Sequence, residues 1–137
     1  MESYVQNWSR QFGIESDFCC SDPDIDMLPE DVHTTIFRVA QEALTNVAKH
    51  ARGATMVSVV VERTVNLLRL IIEDDGCGFD PDLAAEGSMA RSDGGLGLAG
   101  MRERLSLVNG ELKIESSPGA GTALFASIRL DDQPSVS

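Results

Sequence analysis

Three side chains of different chemistry lie one turn apart in a long helical pattern. Glu42, Asn46 and Lys49 are four and three residues apart, so they share one stripe of the helix, and His50 follows directly. A carboxylate, an amide oxygen and an ammonium group in this order can activate an attacking group, coordinate Mg²⁺ and neutralise phosphate. Taken alone, the stripe favours the plain solvated face of an amphipathic helix.

An acidic and glycine-rich segment from Glu73 to Phe79 follows an apolar run. Asp74 can accept a hydrogen bond from the exocyclic amine of adenine, because a carboxylate at a strand end offers acceptor positions. Gly76 and Gly78 allow the backbone to approach a flat base closely. Asp-Gly pairs also favour tight turns for backbone reasons alone, so a turn without a ligand stays open.

Glycines open a second helical pattern, at Gly95, Leu96, Gly97 and Leu98. The start of a helix presents unpaired amide groups and the positive end of the helix dipole, which suits phosphate. Gly95, Gly97 and Gly100 satisfy G-x-G-x-x-G, but a dinucleotide-binding fingerprint directly follows a strand, whereas a polar segment over residues 80–94 precedes this one. We therefore reject a dinucleotide-binding fold, and a flexible hinge without a ligand stays open.

A fourth motif, from Gly119 to Thr122, precedes the last predicted strand. The hydroxyl of Thr122 can help to fix a base through a water molecule shared with Asp74. The motif more simply predicts the entry to a hairpin strand.

Hydrophobic periodicity predicts the elements that position these motifs. Apolar residues at helical spacing predict helices over residues 1–12, from Glu30 to Ala51 and from Leu96 to Val108. Runs of β-branched and aliphatic residues predict five strands, over residues 14–20, 54–62, 67–73, 111–116 and 122–130. The composition of residues 80–94 predicts a long surface loop, and that of residues 131–137 predicts a frayed tail.

The composition predicts one globular domain that avoids polyanions. Of the 137 residues, 42% are apolar, enough to bury a core without disulfide or metal staples. The formal net charge of -11 disfavours nucleic acid and anionic lipid, and it requires that an ATP site supply local positive charge. Cys19, Cys20 and Cys77 lack zinc-ligand spacing and indicate a reducing, cytoplasmic setting. No apolar run approaches the roughly 18–20 residues of a membrane span.

The order and spacing of the four motifs resemble the ATP-binding domain shared by histidine kinases, type II topoisomerases, the Hsp90 chaperones and MutL, over about residues 14–130. The segments Phe37–Ala51 and Gly95–Arg104 look like the N and G2 boxes of sensor histidine kinases of the DesK/NarX-like group. The resemblance implies an α/β two-layer sandwich of the Bergerat type, in which helices cover one face of a mixed β-sheet. ATP would lie between the helix layer and a lid at about residues 80–94.

The resemblance also implies roles for single residues. Asn46 and Glu42 would hold Mg²⁺, and Glu42 would also assist the attacking group. Lys49 and His50 would contact phosphate, and Asp74 would accept from the adenine amine. Further nucleotide contacts are implied at Gly76, Gly78, Gly95, Leu96, Gly97, Leu98 and Thr122.

The implied reaction is donation of the γ-phosphate of Mg-ATP to a histidine on separate dimerisation helices, with a response regulator downstream. His33 and His50, the two histidines of the sequence, do not fit a phosphoacceptor, because Thr34 rather than an acidic residue follows His33 and His50 belongs to the N box. We therefore expect the phosphoacceptor in another segment and residues 1–12 as an N-terminal helix or the end of a linker. The catalytic domain itself is expected to be monomeric and cytoplasmic, alone or as the cytoplasmic part of a membrane-anchored kinase.

Two other functions share this nucleotide fold and stay open. One is a serine kinase of the anti-sigma type or a small ATPase, against which the wording of the N and G2 boxes argues. The other is a nucleotide-sensing interaction module that binds ATP without transferring phosphate.

Overall fold

The computed structural model describes residues 1–21, 27–78 and 97–130. Within them lie three helices and five strands: α1 (Glu2–Phe12), β1 (Glu15–Cys20), α2 (Glu30–His50), β2 (Met56–Arg63), β3 (Leu67–Asp74), α3 (Leu98–Ser106), β4 (Gly110–Ser116) and β5 (Thr122–Arg129). Every predicted helix and strand is confirmed, with ends that differ by one or two residues. The predicted lid over residues 80–94 and the predicted tail over residues 131–137 lie outside the described residues.

The five strands form one mixed sheet in the order β1-β2-β3-β5-β4. β1 pairs with β2 in parallel, and the other three pairs are antiparallel. The turn between β2 and β3 is closed by the Thr64 amide, which donates to the Leu67 carbonyl at 2.9 Å. The predicted mixed sheet with helices is therefore confirmed.

One face of the sheet is buried and the other is not, because side chains alternate between the two faces along each strand. The buried face consists of Val57, Val59, Val61, Leu68, Leu70, Ile72, Leu124, Ala126 and Ile128. Helix α2 covers this face with a stripe of buried residues at helical spacing, namely Val32, Ile36, Val39, Ala40, Ala43, Leu44 and Val47. Helix α3 adds Met101 and Leu105 to the same core. The result is the expected two-layer arrangement of helices on one sheet face.

Helix α1 is joined to this core by a buried tryptophan. Val5 and Trp8 are 0% and 4% exposed, and the indole Nε1 of Trp8 donates to the Leu44 carbonyl of α2 at 3.1 Å. Tyr4 packs edge to face against Phe37 of α2, with ring centroids 5.8 Å apart. Gly13, in the left-handed conformation, ends the helix. α1 thus packs as part of the same core.

None of the described helices is long and apolar enough to cross a lipid bilayer. All three cysteines lie in the described segments, and no disulfide joins them.

Candidate functional site

A cavity of about 450 Å³ opens between the last turns of α2, the end of β3 and the start of β5. Its lining combines apolar residues of the core with polar residues at one end of the sheet. The cavity brings together seven of the predicted site residues: Asn46, Lys49, His50, Asp74, Gly78, Leu98 and Thr122.

The helix side of the cavity is formed by the last turns of α2. Asn46 lies between buried Ala43 and Val47, so the stripe that faces the sheet also carries the amide to the cavity wall. Lys49 and His50 stand in the last turn, where basic side chains interact favourably with the negative end of the helix dipole. This wall therefore supplies hydrogen-bonding groups and positive charge together.

The strand side of the cavity is dominated by Asp74. Its side chain follows Leu70 and Ile72 on the buried face of β3, at the point where the apolar row ends. The Gly76 amide donates to its Oδ1 at 2.8 Å. Burial raises the pKa of Asp74 above its ordinary value, the neighbouring Asp75 charge raises the pKa further, and the Gly76 and Thr122 amides offset part of that rise. Asp74 is thus a half-buried acceptor at the point where the apolar row of β3 ends.

Two glycine-containing turns stack at the mouth of the cavity. The Gly119 amide donates to the Cys77 carbonyl, which joins the turn after β3 to the turn between β4 and β5. A Cβ atom on Gly121 would overlap the Asp74 carbonyl oxygen, and a Cβ atom on Gly78 would overlap the Ser117 carbonyl oxygen. Close contact of the two backbones therefore requires glycine at both positions.

The Thr122 hydroxyl lies opposite Asp74 in the β3–β5 register and belongs to a short hydroxyl chain. Ser116 Oγ donates to the Gly121 carbonyl at 2.9 Å and lies 2.9 Å from Thr122 Oγ1. Since the Ser116 proton is directed to Gly121, the Thr122 hydroxyl donates to Ser116 and keeps its lone pairs as acceptors.

Three predicted site residues, Glu42, Gly76 and Gly97, lie beside the cavity rather than in its lining. Glu42 extends toward the start of α3, where a Cβ atom on Gly97 would lie 2.5 Å from its Oε1. Gly76 packs against Ala51, and a Cβ atom there would lie 2.8 Å from the Ala51 Cβ. Their predicted roles in binding stay predictions.

Gly95 and Leu96 fall outside the described residues. Among the residues that the structure does describe, no group of three or more His, Cys, Asp or Glu side chains is placed to hold a metal ion. Asn46 and Glu42 stay the predicted Mg²⁺ ligands, and since Mg²⁺ takes six ligands, phosphate oxygens and water would complete its coordination.

Sequence reasoning missed three residues at this site. Cys77 and Arg52 line the cavity, and Cys77 Sγ lies 3.7 Å from the His50 carbonyl oxygen. Ser116 orients the Thr122 hydroxyl from the neighbouring strand. The alternation of Leu112, Ile114 and Ser116 on the same face of β4 was the available signal for Ser116, whereas nothing in the local pattern indicated Arg52.

The fold and the cavity define the class of protein. The chain belongs to the family of histidine kinase-, DNA gyrase B- and HSP90-like ATPases, whose sequence model matches residues 31–133.

The individual relatives of the chain are signal transduction histidine kinases. The chain is 36% identical over 128 residues to the signal transduction histidine-protein kinase/phosphatase DegS of Brevibacillus brevis, covering 93% of this chain and 31% of that protein. It is 34% identical over 112 residues to DegS of Bacillus subtilis (strain 168), covering 82% of this chain and 28% of that protein. The chain therefore spans less than a third of the length of these curated relatives. The predicted resemblance to sensor histidine kinases is confirmed.

Solved structures show the same fold. The blue-light activated histidine kinase EL346 of Erythrobacter litoralis matches with a TM-score of 0.77 and 22% identity, covering 98% of this chain and 42% of that one. The catalytic domain of histidine kinase ThkA matches with a TM-score of 0.66 and 15% identity, covering 93% of this chain and 86% of that one. These matches confirm the predicted two-layer α/β architecture.

Proposed function

We propose that this domain binds Mg-ATP in the cavity and donates the γ-phosphate to a histidine on separate dimerisation helices, as the catalytic domain of a two-component sensor kinase. The observation that carries the proposal is one cavity lined by Asn46, Lys49 and His50 on one side and by Asp74 and Thr122 on the other. Asp74 and Thr122 would bind the adenine end of a nucleotide, and Asn46, Lys49 and His50 would bind its phosphate end. The ATPase family and the sensor-kinase relatives support it.

The adenine ring would lie at the strand end of the cavity. Asp74 accepts from the exocyclic amine, because its half-buried carboxylate offers acceptor positions at the cavity wall. Ile72, Leu98 and Leu124 supply apolar surface for the faces of the ring. A water molecule between Asp74 and Thr122 would donate to both, because each presents an acceptor.

The phosphates would lie along the end of α2. Lys49 would neutralise phosphate charge and His50 would contact phosphate beside it, so that Lys49 offsets locally the net charge of -11. Asn46, with Glu42 nearby, would hold Mg²⁺, and the ion would supply positive charge to the phosphate oxygens. Arg52, which also lines the cavity, adds positive charge at the same end.

The transfer itself needs little covalent chemistry from the domain. The bond between the γ-phosphorus and its bridging oxygen breaks, ADP leaves with the electron pair, and a ring nitrogen of the acceptor histidine forms the new bond. The protein contributes positioning and electrostatic stabilisation. Residues 80–94 would act as the lid and residues 1–12 as the N-terminal helix or linker end. The receiving partners would be the dimerisation helices and then a response regulator in the cytoplasm.

Calorimetry of Mg-ATP binding to the domain tests the proposal. Asp74→Asn should weaken binding by about tenfold or more, because its amide would direct a donor at the adenine amine. Asp17→Asn is the matched control, since Asp17 is an exposed aspartate on β1 and the change in charge is the same. Equal binding by wild type and Asp74→Asn would contradict the adenine assignment.

Transfer is tested by mixing the domain with the dimerisation helices of its kinase and labelled ATP. Asn46→Asp should abolish transfer, because it replaces the neutral metal ligand next to the phosphates by a charged one. An acid-labile product indicates phosphohistidine, whereas an acid-stable product indicates a serine kinase. Binding without any transfer in the complete kinase would favour a nucleotide-sensing module.

A further inference from the structure

Asp75 directs its carboxylate away from the cavity, although it directly follows Asp74. Its Oδ1 accepts from the amides of Thr55 at 2.7 Å and Met56 at 3.0 Å, and its Oδ2 accepts from the Thr55 hydroxyl at 2.6 Å. The Asp75 amide in turn donates to the Met56 carbonyl at 3.4 Å. One exposed side chain thus makes three hydrogen bonds to two residues that lie twenty and nineteen positions earlier in the sequence.

These bonds tie the loop after α2 to the turn after β3, and each of these two segments continues from one wall of the cavity. Thr55 ends the short loop that leaves α2, so it is covalently close to the helix end that carries Lys49 and His50. Asp75 begins the turn that follows Asp74. The next two residues also contact the end of α2: Gly76 packs on Ala51, and Cys77 Sγ lies 3.7 Å from the His50 carbonyl oxygen.

The carboxylate is suited to a permanent tie. The Thr55 hydroxyl, followed by the amides of Thr55 and Met56, lowers the pKa of Asp75 from its ordinary 3.8 to about 2. The group is therefore ionised at any pH used for a kinase assay, and its three bonds are charge-assisted.

We propose that Asp75 is a positioning residue for nucleotide binding, which ties the loop after α2 to the end of β3 and so sets the separation between Asp74 and the phosphate-binding end of the helix. The inference rests on the proposed function, since it concerns the same cavity. Asp75 touches no nucleotide in this account and acts through Thr55 and Met56. The carboxylate that binds adenine and the helix end that binds phosphate must be held at a fixed distance from each other if one nucleotide is to reach both.

The first test is Mg-ATP affinity measured by calorimetry on the domain. Asp75→Ala removes all three bonds and should weaken binding about tenfold. Asp75→Asn should stay within about threefold of wild type, because its Oδ1 still accepts from both amides and its Nδ2 can donate to Thr55 Oγ1. Thr55→Val removes the hydroxyl bond alone and should fall between them, and Asp17→Asn controls for loss of one exposed negative charge.

The second test separates positioning from general destabilisation. In the complete kinase, Asp75→Ala should raise KM for ATP about tenfold and leave kcat within about twofold, because saturating ATP restores the occupied site. A domain that is merely unstable would lose kcat through loss of active protein. Thermal unfolding of each variant checks that it is folded at the assay temperature.

The outcomes distinguish the two proposals. A wild-type domain that binds no Mg-ATP would overturn the proposed function. A wild type that binds, together with an Asp75→Ala variant that binds equally well, would overturn the role of Asp75 alone. If Asp75→Ala does not fold, Thr55→Val decides, and unchanged affinity in that variant overturns the proposal. An Asp75→Asn variant that binds Mg-ATP as weakly as Asp75→Ala would also overturn the proposal, because the proposal attributes the affinity to the hydrogen bonds of residue 75 and not to its charge.

Discussion

Gly121→Ala should destabilise the domain and weaken nucleotide binding together, whereas Gly119→Ala in the same turn should do little. Both glycines have positive φ, 74° at Gly121 and 83° at Gly119. They differ in their surroundings, because a Cβ atom on Gly119 would have no neighbour within 4 Å among the described residues, while one on Gly121 would overlap the Asp74 carbonyl oxygen. The pair thus separates the conformational cost from the steric cost.

The magnitudes follow from these two terms. A left-handed conformation costs a residue with a Cβ about 1–2 kcal/mol, and the smaller unfolded-state entropy of alanine offsets about 0.4–1 kcal/mol of it. Gly119→Ala should therefore lower the free energy of unfolding by about 1 kcal/mol. Gly121→Ala adds an overlap with backbone that cannot rotate away, at about 1–3 kcal/mol more. Its total should be about 2–4 kcal/mol, a large share of the stability of a small domain.

Urea denaturation followed by circular dichroism measures both variants, and calorimetry measures their affinity for Mg-ATP. Relief of the overlap must move the Asp74 backbone, so Gly121→Ala should bind more weakly even at temperatures where it is fully folded. Gly119→Ala should bind as wild type does. Equal destabilisation of the two variants, within about 0.5 kcal/mol, would refute the steric argument.

Three further predictions concern stability. Trp8→Phe should lower the free energy of unfolding by about 1–3 kcal/mol, because it removes the buried hydrogen bond to the Leu44 carbonyl and part of a packed ring. Unfolding is followed by circular dichroism, because Trp8 is the single tryptophan and the variant has no tryptophan fluorescence. Gly100→Ala should raise the free energy of unfolding by about 0.5–1 kcal/mol in the same assay, because Gly100 lies in α3 and no described residue beyond its own helix comes within 4 Å of its Cβ position. The pKa of Asp75 is lowered from its ordinary 3.8 to about 2 in the folded domain, so its carboxylate stabilises the fold above pH 3.8 and loses that effect as the pH falls toward 2. The loss of stability on acidification over this range should therefore be smaller in Asp75→Asn than in wild type. An identical pH profile of the two proteins would contradict the assignment.

The elements of this domain could be predicted because their patterns are local. The stripe of α2 and the β-branched runs of β2 and β3 bury the residues that periodicity marks. The ends of α3 were less well predicted, at Leu96 and Val108 rather than Leu98 and Ser106, since the terminal turns carry weaker signals.

The residues of the candidate site could be predicted only where they belong to short sequence motifs. Asn46, Lys49 and Asp74 could be named because their motifs have fixed spacing. Gly76 could be named too, but its position against Ala51 depends on how the loop after α2 folds back, which no local pattern encodes. The bonds of Asp75 to Thr55 were likewise invisible, because they join residues twenty positions apart.

The register of the sheet explains why these separate motifs form one cavity. Val57, Asp74, Thr122 and Ser116 are partners in a single row across β2, β3, β5 and β4. The next row on the same face is apolar and passes through Ile72 and Leu124, so polar groups begin where the buried face ends. A slip of β3 by one residue would turn Asp74 to the opposite face, and a slip of two would place Ile72 opposite Thr122. The backbone contact at Gly121 is specific to the observed register, because it places a residue without a side chain against the Asp74 carbonyl. The features that bind the nucleotide in our proposal therefore also fix the pairing of the strands, and a substitution that loosens one should loosen the other.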